Sequence, residues 1–83
     1  MSYLDMTAEE QQAFAARLIE FRRKHRLTQH ELGAALGVGN FTISSLELMR
    51  NRPFPQTVLK LAALEERYRQ AEQAELDELT GTS

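Results

Sequence analysis

The side chains with the most distinctive chemistry lie between Asn40 and Leu48, a segment that the sequence predicts to be a helix. At helical spacing, one stripe of this segment carries Ile43, Leu46 and Glu47. The other stripe carries Asn40, Phe41, Ser44, Ser45 and Leu48. The second stripe is uncharged and mostly small, whereas solvent-facing helix surfaces usually carry Lys and Glu. Such a stripe could meet base edges, because Asn pairs with adenine, Ser donates or accepts, and Phe can contact a thymine methyl group.

The alternative interpretation is that Phe41 and Leu48 are core or subunit contacts and that the serines have no role.

The first stripe must face the core, where the carboxylate of Glu47 would cost several kcal/mol of desolvation without a partner. Arg22, near the apolar stripe of the first helix, can bond a carboxylate through two nitrogens. We therefore expect a structural ion pair between Arg22 and Glu47 that fixes the third helix against the first.

Capping boxes, formed by Thr7 with Glu10 and by Thr28 with Glu31, predict where the first two helices begin. The predicted apolar stripe of the first helix consists of Phe14, Ala15, Leu18 and Phe21, and that of the second consists of Leu32, Ala35 and Leu36. The first helix should fade near His25, and Gly37 should end the second.

Pro55 predicts the first position of a fourth helix, which carries Val58, Leu61, Ala62, Leu64 and Tyr68. Its apolar spacing continues more weakly to about Leu79, and residues 80–83 should be frayed. Two short helices joined by the turn at residues 37–39 suggest a helix-turn-helix. We therefore predict an all-α fold, a compact bundle of four to five helices forming one domain over residues 1–83.

Composition and charge narrow the class of protein. The chain has no cysteine and no apolar run long enough to span a bilayer, so we expect a cytoplasmic protein without disulfides or membrane association. The net charge is -2, but residues 17–60 hold eight basic and three acidic side chains. The ends on either side are acidic. A basic middle favours a nucleic-acid partner, although a solvated charged surface would look the same.

Catalysis is the weakest option. His25 and His30 have no grouping of carboxylates around them, and we expect them to be exposed or to face phosphate. Metal-ligand spacing, a phosphate-cradling loop and a nucleophile motif are all missing from the sequence. We therefore predict neither an enzyme nor a bound metal or cofactor.

From Leu18 to Leu64 the chain resembles the lambdoid phage repressor and Cro family of helix-turn-helix regulators, also called the XRE type. The resemblance is carried by LTQHELGAALGVGNFTISSLE, residues 27–47, preceded by FRRKHR. The positions that match the family pattern are Arg22, Gln29, Leu32, Leu36, Gly37, Val38, Ile43, Leu46 and Glu47.

The resemblance implies binding to double-stranded DNA and assigns roles in it by position. It implies base contacts by Asn40, Phe41 and Ser45, with Ser44 and Gly39 close by. It implies backbone contacts by Gln29, Thr42, Arg50, Asn51 and Arg52. Backbone contacts supply affinity and register, whereas base contacts supply sequence choice.

The chain departs from the family pattern at three positions in and after the helix-turn-helix. Gly33 replaces the usual Ala, and Gly39 stands where a capping Ser or Thr is common. Met49 occupies a position that is often Gly, which predicts either a longer third helix or a turn made by Asn51.

The family uses two-fold dimers on paired half-sites, and we expect no sensor or cleavage domain beside this one. We therefore expect the helical domain itself to form a homodimer, through Leu64, Tyr68, Ala71, Leu76 and Leu79. The alternative is a lone acidic helix held by charge pairs such as Glu65 with Arg69. The predicted function is a repressor of a phage, plasmid or similar locus, acting at an inverted repeat. The competing class is a protein-interaction module, such as an antitoxin that binds a partner protein.

Overall fold

A computed structural model describes residues 6–81 and shows an all-α architecture. Its elements are α1 (Ala8–Lys24), α2 (Gln29–Leu36), α3 (Asn40–Glu47) and α4 (Pro55–Thr80). The described residues form four helices and no strand, which confirms the predicted fold class. No helix within residues 6–81 combines the length and apolar character needed to cross a membrane.

The starts of α1, α2 and α4 follow from local sequence. In α1, the Thr7 side chain accepts from the backbone N–H of Glu10, and the Glu10 side chain accepts from the backbone N–H of Thr7, both at 3.1 Å. Thr28 and Glu31 repeat this arrangement at α2, at 3.0 and 2.9 Å. Both predicted capping boxes are therefore confirmed. Pro55 occupies the first turn of α4, as predicted, because its missing N–H has no partner to lose there.

The first three helices end in the same left-handed turn. The residue in the left-handed conformation is Arg26 after α1, Gly37 after α2 and Met49 after α3, with φ of 55°, 75° and 59°. After each turn, a backbone N–H returns to a carbonyl five residues earlier: Leu27 to Arg22 at 2.9 Å, Val38 to Gly33 at 2.8 Å, and Arg50 to Ser45 at 2.9 Å. This is the Schellman pattern, which satisfies carbonyl groups at a helix end.

The end of α3 corrects one sequence prediction. We expected Met49 either to extend the helix or to leave the turn to Asn51. Instead α3 ends at Glu47, and Met49 itself adopts the left-handed conformation. The tertiary fold thus imposes on Met49 a backbone conformation that local sequence would assign to glycine.

The core lies between all four helices. Its buried members are Phe14, Leu18, Phe21, Leu32, Leu36, Ile43, Leu46, Leu61 and Leu64, with Leu27, Val38, Val58 and Tyr68 packed against them. The prediction that Ala35 faces inward was wrong, because Ala35 is exposed. The third buried residue on α2, besides Leu32 and Leu36, is Gly33, since the turn into α3 folds back over that side of the helix.

The 26-residue α4 has two parts with different surroundings. Up to Tyr68 it contributes to the core, whereas all residues from Arg69 to Gly81 are exposed. Because α1 ends at Lys24, which pairs with Glu72 at 3.6 Å, no other helix of residues 6–81 lies beside the last two turns of α4. Contrary to the prediction of fraying, Thr80 is helical and its hydroxyl donates to the Leu76 carbonyl at 2.9 Å. The predicted fraying of residues 82 and 83 lies outside the described residues.

The ion pairs of α4 also differ from expectation. Glu65 pairs with Arg17 of α1, not with Arg69, which pairs with Glu66. The spacing of four residues allowed a pair within α4. Glu65 instead lies on the side of α4 that faces α1, so its nearest cation belongs to another helix.

Candidate nucleic-acid interface

The two sides of α3 differ sharply in exposure. Ile43 and Leu46 are 0% and 4% exposed, whereas Phe41 is 82% exposed. Of the other residues expected to contact bases, Asn40 is exposed and Ser44 and Ser45 are half-buried. The outer side of α3 is therefore a neutral surface, with the exposed aromatic ring of Phe41 near its N-terminal end.

The inner side of α3 is tied to α1 by charge. The Arg22 Nε donates to Glu47 Oε2 at 2.7 Å and its Nη2 donates to Glu47 Oε1 at 3.2 Å. The side chains are 22% and 7% exposed, so this is a largely buried, two-point pair. The hydrogen bond to Glu47, and then its negative charge, raise the pKa of Arg22 above its usual value against the opposing effect of burial.

Gln29 joins this pair. Its Nε2 donates to Glu47 Oε1 at 3.0 Å, and the residue is half-buried at the first position of α2. An amide nitrogen carries two N–H groups, and this bond occupies one of them. The sequence reasoning, which assigned Gln29 only to the DNA backbone, did not anticipate this bond.

The seating of α3 on α2 depends on glycine at position 33. A Cβ there would lie 2.6 Å from the Val38 carbonyl oxygen, which is closer than a carbon and an oxygen that are not bonded to each other can approach. The Gly33 carbonyl also accepts from Val38 N–H at 2.8 Å. The backbone of the turn therefore lies directly on α2, and this contact sets where α3 begins.

Four of the five residues expected to contact the DNA backbone come together on α3 and the loop that follows it. Thr42, Arg50, Asn51 and Arg52 are all exposed, and all line a shallow depression of about 470 Å³ between α3 and the start of α4. The residues lining this depression include two arginines and no acidic side chain. The fifth, Gln29, lies at the start of α2, beside Glu47.

The residues expected to form a dimer interface divide into two groups. Leu64 is 9% exposed and packs in the core, and Tyr68 is half-buried. Ala71, Leu76 and Leu79 are exposed on residues 69–80 of α4, which we call its projecting part, and the two leucines are 53% and 83% exposed. Of these two groups, the second is the one exposed to another molecule.

The two histidines have different surroundings. His30 is exposed, as expected, but His25 is half-buried, with its ring centroid 4.6 Å from that of Phe21 and 4.3 Å from that of Tyr68. Its role in the structure is to extend the aromatic contact between α1 and α4. Within the described part of the chain, no cluster of His, Asp or Glu has the arrangement needed to hold a metal ion.

Comparison with known proteins identifies the family from the region that contains this site. A family described as helix-turn-helix matches residues 18–64, more than half of the chain. No curated protein and no solved structure matches the chain significantly. The matched region includes α2, α3 and the loop with Arg50 and Arg52. The family is a regulatory one, and its members are not typically enzymes. The chain therefore belongs to the XRE-type, lambda-repressor-like helix-turn-helix family of DNA-binding transcription regulators.

Proposed function

We propose that this protein is a homodimeric repressor that binds an inverted-repeat operator by placing α3 of each subunit in the major groove. The observation that carries this proposal is the exposed, uncharged outer face of α3 next to a loop with two arginines. A major groove about 12 Å wide admits a helix. A repressor of this kind would act by covering promoter DNA.

Base contacts are assigned to the outer face of α3. Asn40 can pair with adenine through its side-chain amide, and Phe41, at 82% exposure, can contact a thymine methyl group. Ser44 and Ser45 are half-buried, so their hydroxyls would reach only bases that approach the helix closely. Because this face has no Arg or Lys for guanine, we expect at least one A·T pair per half-site.

Backbone contacts are assigned to the depression that follows α3. Arg50 and Arg52 supply positive charge, and Asn51 and Thr42 supply hydrogen-bond donors for phosphate oxygens. Gln29 can add a contact at the start of α2, where the helix dipole favours an anion. These contacts are independent of sequence and fix the register in which α3 meets the bases.

Dimerisation is assigned to the projecting part of α4. A single helix-turn-helix holds one half-site, and two subunits are needed to hold half-sites one helical turn apart. Leu76 and Leu79 are exposed where α1 no longer covers α4, so a second subunit could bury them. Ala71 lies within the same projecting part, one turn after Tyr68.

Salt dependence of binding tests the DNA assignment. The probe is the duplex upstream of the protein's own gene, titrated between 50 and 200 mM salt. If two subunits together neutralise about six phosphates, affinity should fall roughly a thousandfold over this range. Arg50→Gln should weaken binding to all duplexes and make the dependence shallower, by about one counterion per subunit. A flat dependence would contradict the assignment.

The exposed leucines of α4 also fit a protein-interaction module that captures another protein, and the same titration separates the two functions.

Sedimentation tests the subunit interface: Leu79→Lys should yield monomers. The matched control is Leu59→Lys, since Leu59 is 70% exposed earlier on α4. A dimer that survives Leu79→Lys but not Leu59→Lys would place the interface elsewhere.

A further inference from the structure

Gln11 links α1 to the loop that follows α3. It lies in the first turns of α1, and its side-chain Nε2 donates to the Met49 carbonyl at 3.2 Å and to the Asn51 carbonyl at 3.3 Å. These partners are 38 and 40 residues away in sequence. One amide group therefore holds the two carbonyl groups that flank Arg50.

The loop has a reason to need this support. Met49 has a φ of 59°, a left-handed conformation that is unfavourable for a residue with a side chain, because its Cβ comes close to the following carbonyl oxygen. Such a conformation persists only when the surrounding structure enforces it. The Schellman bonds at the end of α3 supply part of that constraint, and the two bonds from Gln11 supply a constraint from outside α3.

We propose that Gln11 is a positioning residue for DNA binding: it holds the left-handed turn at Met49 and thereby presents Arg50 and Asn51 to the phosphate backbone. This inference rests on the proposed function, because it assumes that the loop contacts DNA. Gln11 is half-buried and need not touch DNA itself. Its donor group projects from a regular helix, α1, onto the carbonyl groups of the loop.

Three variants test the proposal on the full chain. Gln11→Ala should weaken binding to the upstream duplex about tenfold, which corresponds to the loss of two hydrogen bonds of typical net strength. Gln12→Ala is the matched control, since Gln12 is the exposed neighbour on α1, and it should bind like the wild type. Each variant is assayed at a temperature at which circular dichroism shows it fully folded.

The third variant distinguishes positioning from a general loss of stability. Met49→Gly in the Gln11→Ala background should restore most of the lost affinity, because glycine adopts the left-handed turn without the amide. A defect in the packing of α1 would not be corrected by a change at Met49. The salt dependence of Gln11→Ala should also be shallower than that of the wild type, and Met49→Gly should restore its slope.

Hydrogen exchange provides a readout without DNA. The Arg50 N–H donates to the Ser45 carbonyl at 2.9 Å, so its exchange reports on the turn. We expect exchange at Arg50 to be about tenfold faster in Gln11→Ala, in line with the affinity change, and slowed again by Met49→Gly.

Failure of the inference and failure of the proposed function give different results. Wild-type protein without salt-dependent DNA binding would remove the proposed function. Wild-type protein that binds DNA, with Gln11→Ala equal to it in affinity and slope, would overturn the role of Gln11 alone. A loss of affinity that Met49→Gly fails to restore would also overturn it.

Discussion

On its inner side α3 presents Ile43 and Leu46, 0% and 4% exposed, whereas on its outer side Phe41 keeps 82% of its surface in solvent. The inner side also carries a paired charge, Glu47, and the outer side carries none. Helical periodicity thus gives one eight-residue helix a buried side and an exposed side, and the proposed function places recognition on the exposed side. Substitutions on the two sides should therefore affect different measurements.

The largest expected difference comes from two apolar residues that are two positions apart. Ile43→Ala leaves a cavity in the core and should cost about 2–5 kcal/mol of unfolding free energy. Phe41→Ala removes a side chain that is mostly in water and should leave that free energy within about 0.5 kcal/mol. Urea unfolding measures both. If Phe41→Ala destabilises as much as Ile43→Ala, the two sides of α3 are not distinct.

A second prediction concerns the ion pair on the inner side of α3. Glu47→Ala leaves the guanidinium of Arg22 in a largely buried site and should cost about 3 kcal/mol, at the low end for buried pairs because Arg22 keeps some solvent contact. Replacing both members by apolar residues, Arg22→Met with Glu47→Leu, should recover part of this loss. Additive losses in the double variant would show that the two side chains stabilise α3 independently.

A substitution at Gly33 tests how closely the turn before α3 packs on α2. Gly33→Ala gains up to about 1 kcal/mol of helix propensity. The clash with the Val38 carbonyl should outweigh this gain and give a net loss of about 1–2 kcal/mol. Gly39→Ser is the contrast, because a Cβ there meets nothing within 4 Å and a hydroxyl can cap α3, adding a few tenths of a kcal/mol. Stabilisation by Gly33→Ala would contradict the close contact.

The smallest effect concerns the capping box that starts α2. Hydrogen bonds with Thr28 lower the pKa of Glu31, and the bond to the Thr28 backbone has a larger effect than the bond to its side chain. A carboxyl group with a lowered pKa stabilises the fold above its unfolded pKa, and this contribution is lost as the pH falls through the folded value. Glu31→Gln keeps a capping partner but does not titrate. We therefore expect the two unfolding free energies to converge as the pH falls below the usual range for glutamate. Parallel curves down to that pH would contradict this.

Apart from the Arg22–Glu47 pair, which spans 25 residues and is confirmed, the features predicted from sequence are those that neighbouring residues determine. Thr7 and Thr28 begin helices because their hydroxyls serve N–H groups three residues away, and Gly37 ends one because it tolerates positive φ. The neutral stripe of α3 follows from period alone. These signals need no knowledge of the tertiary fold.

The features that sequence reasoning missed depend on residues distant in the chain. The Met49 carbonyl accepts a hydrogen bond from Gln11, which lies 38 residues earlier. The residues next to Met49 do not indicate this bond or the left-handed turn. Glu65 has a cation four residues later, yet it pairs with Arg17, 48 residues away. In the candidate site, the bond from Gln29 to Glu47 depends on how α2 packs against α3. Glu47 differs from these residues, because its position on a buried stripe required a cation, which predicted its pairing with Arg22.

The most direct measurement is selection of duplexes from a randomised library by the wild type and by Asn40→Ala, with the free energy of unfolding measured for both. The proposed function predicts that the wild type selects an inverted repeat with an A·T pair at one position of each half-site. It also predicts that Asn40→Ala loses that preference, by about 1–3 kcal/mol, while remaining as stable as the wild type. An unchanged consensus for Asn40→Ala would contradict the assignment of base recognition to the outer face of α3.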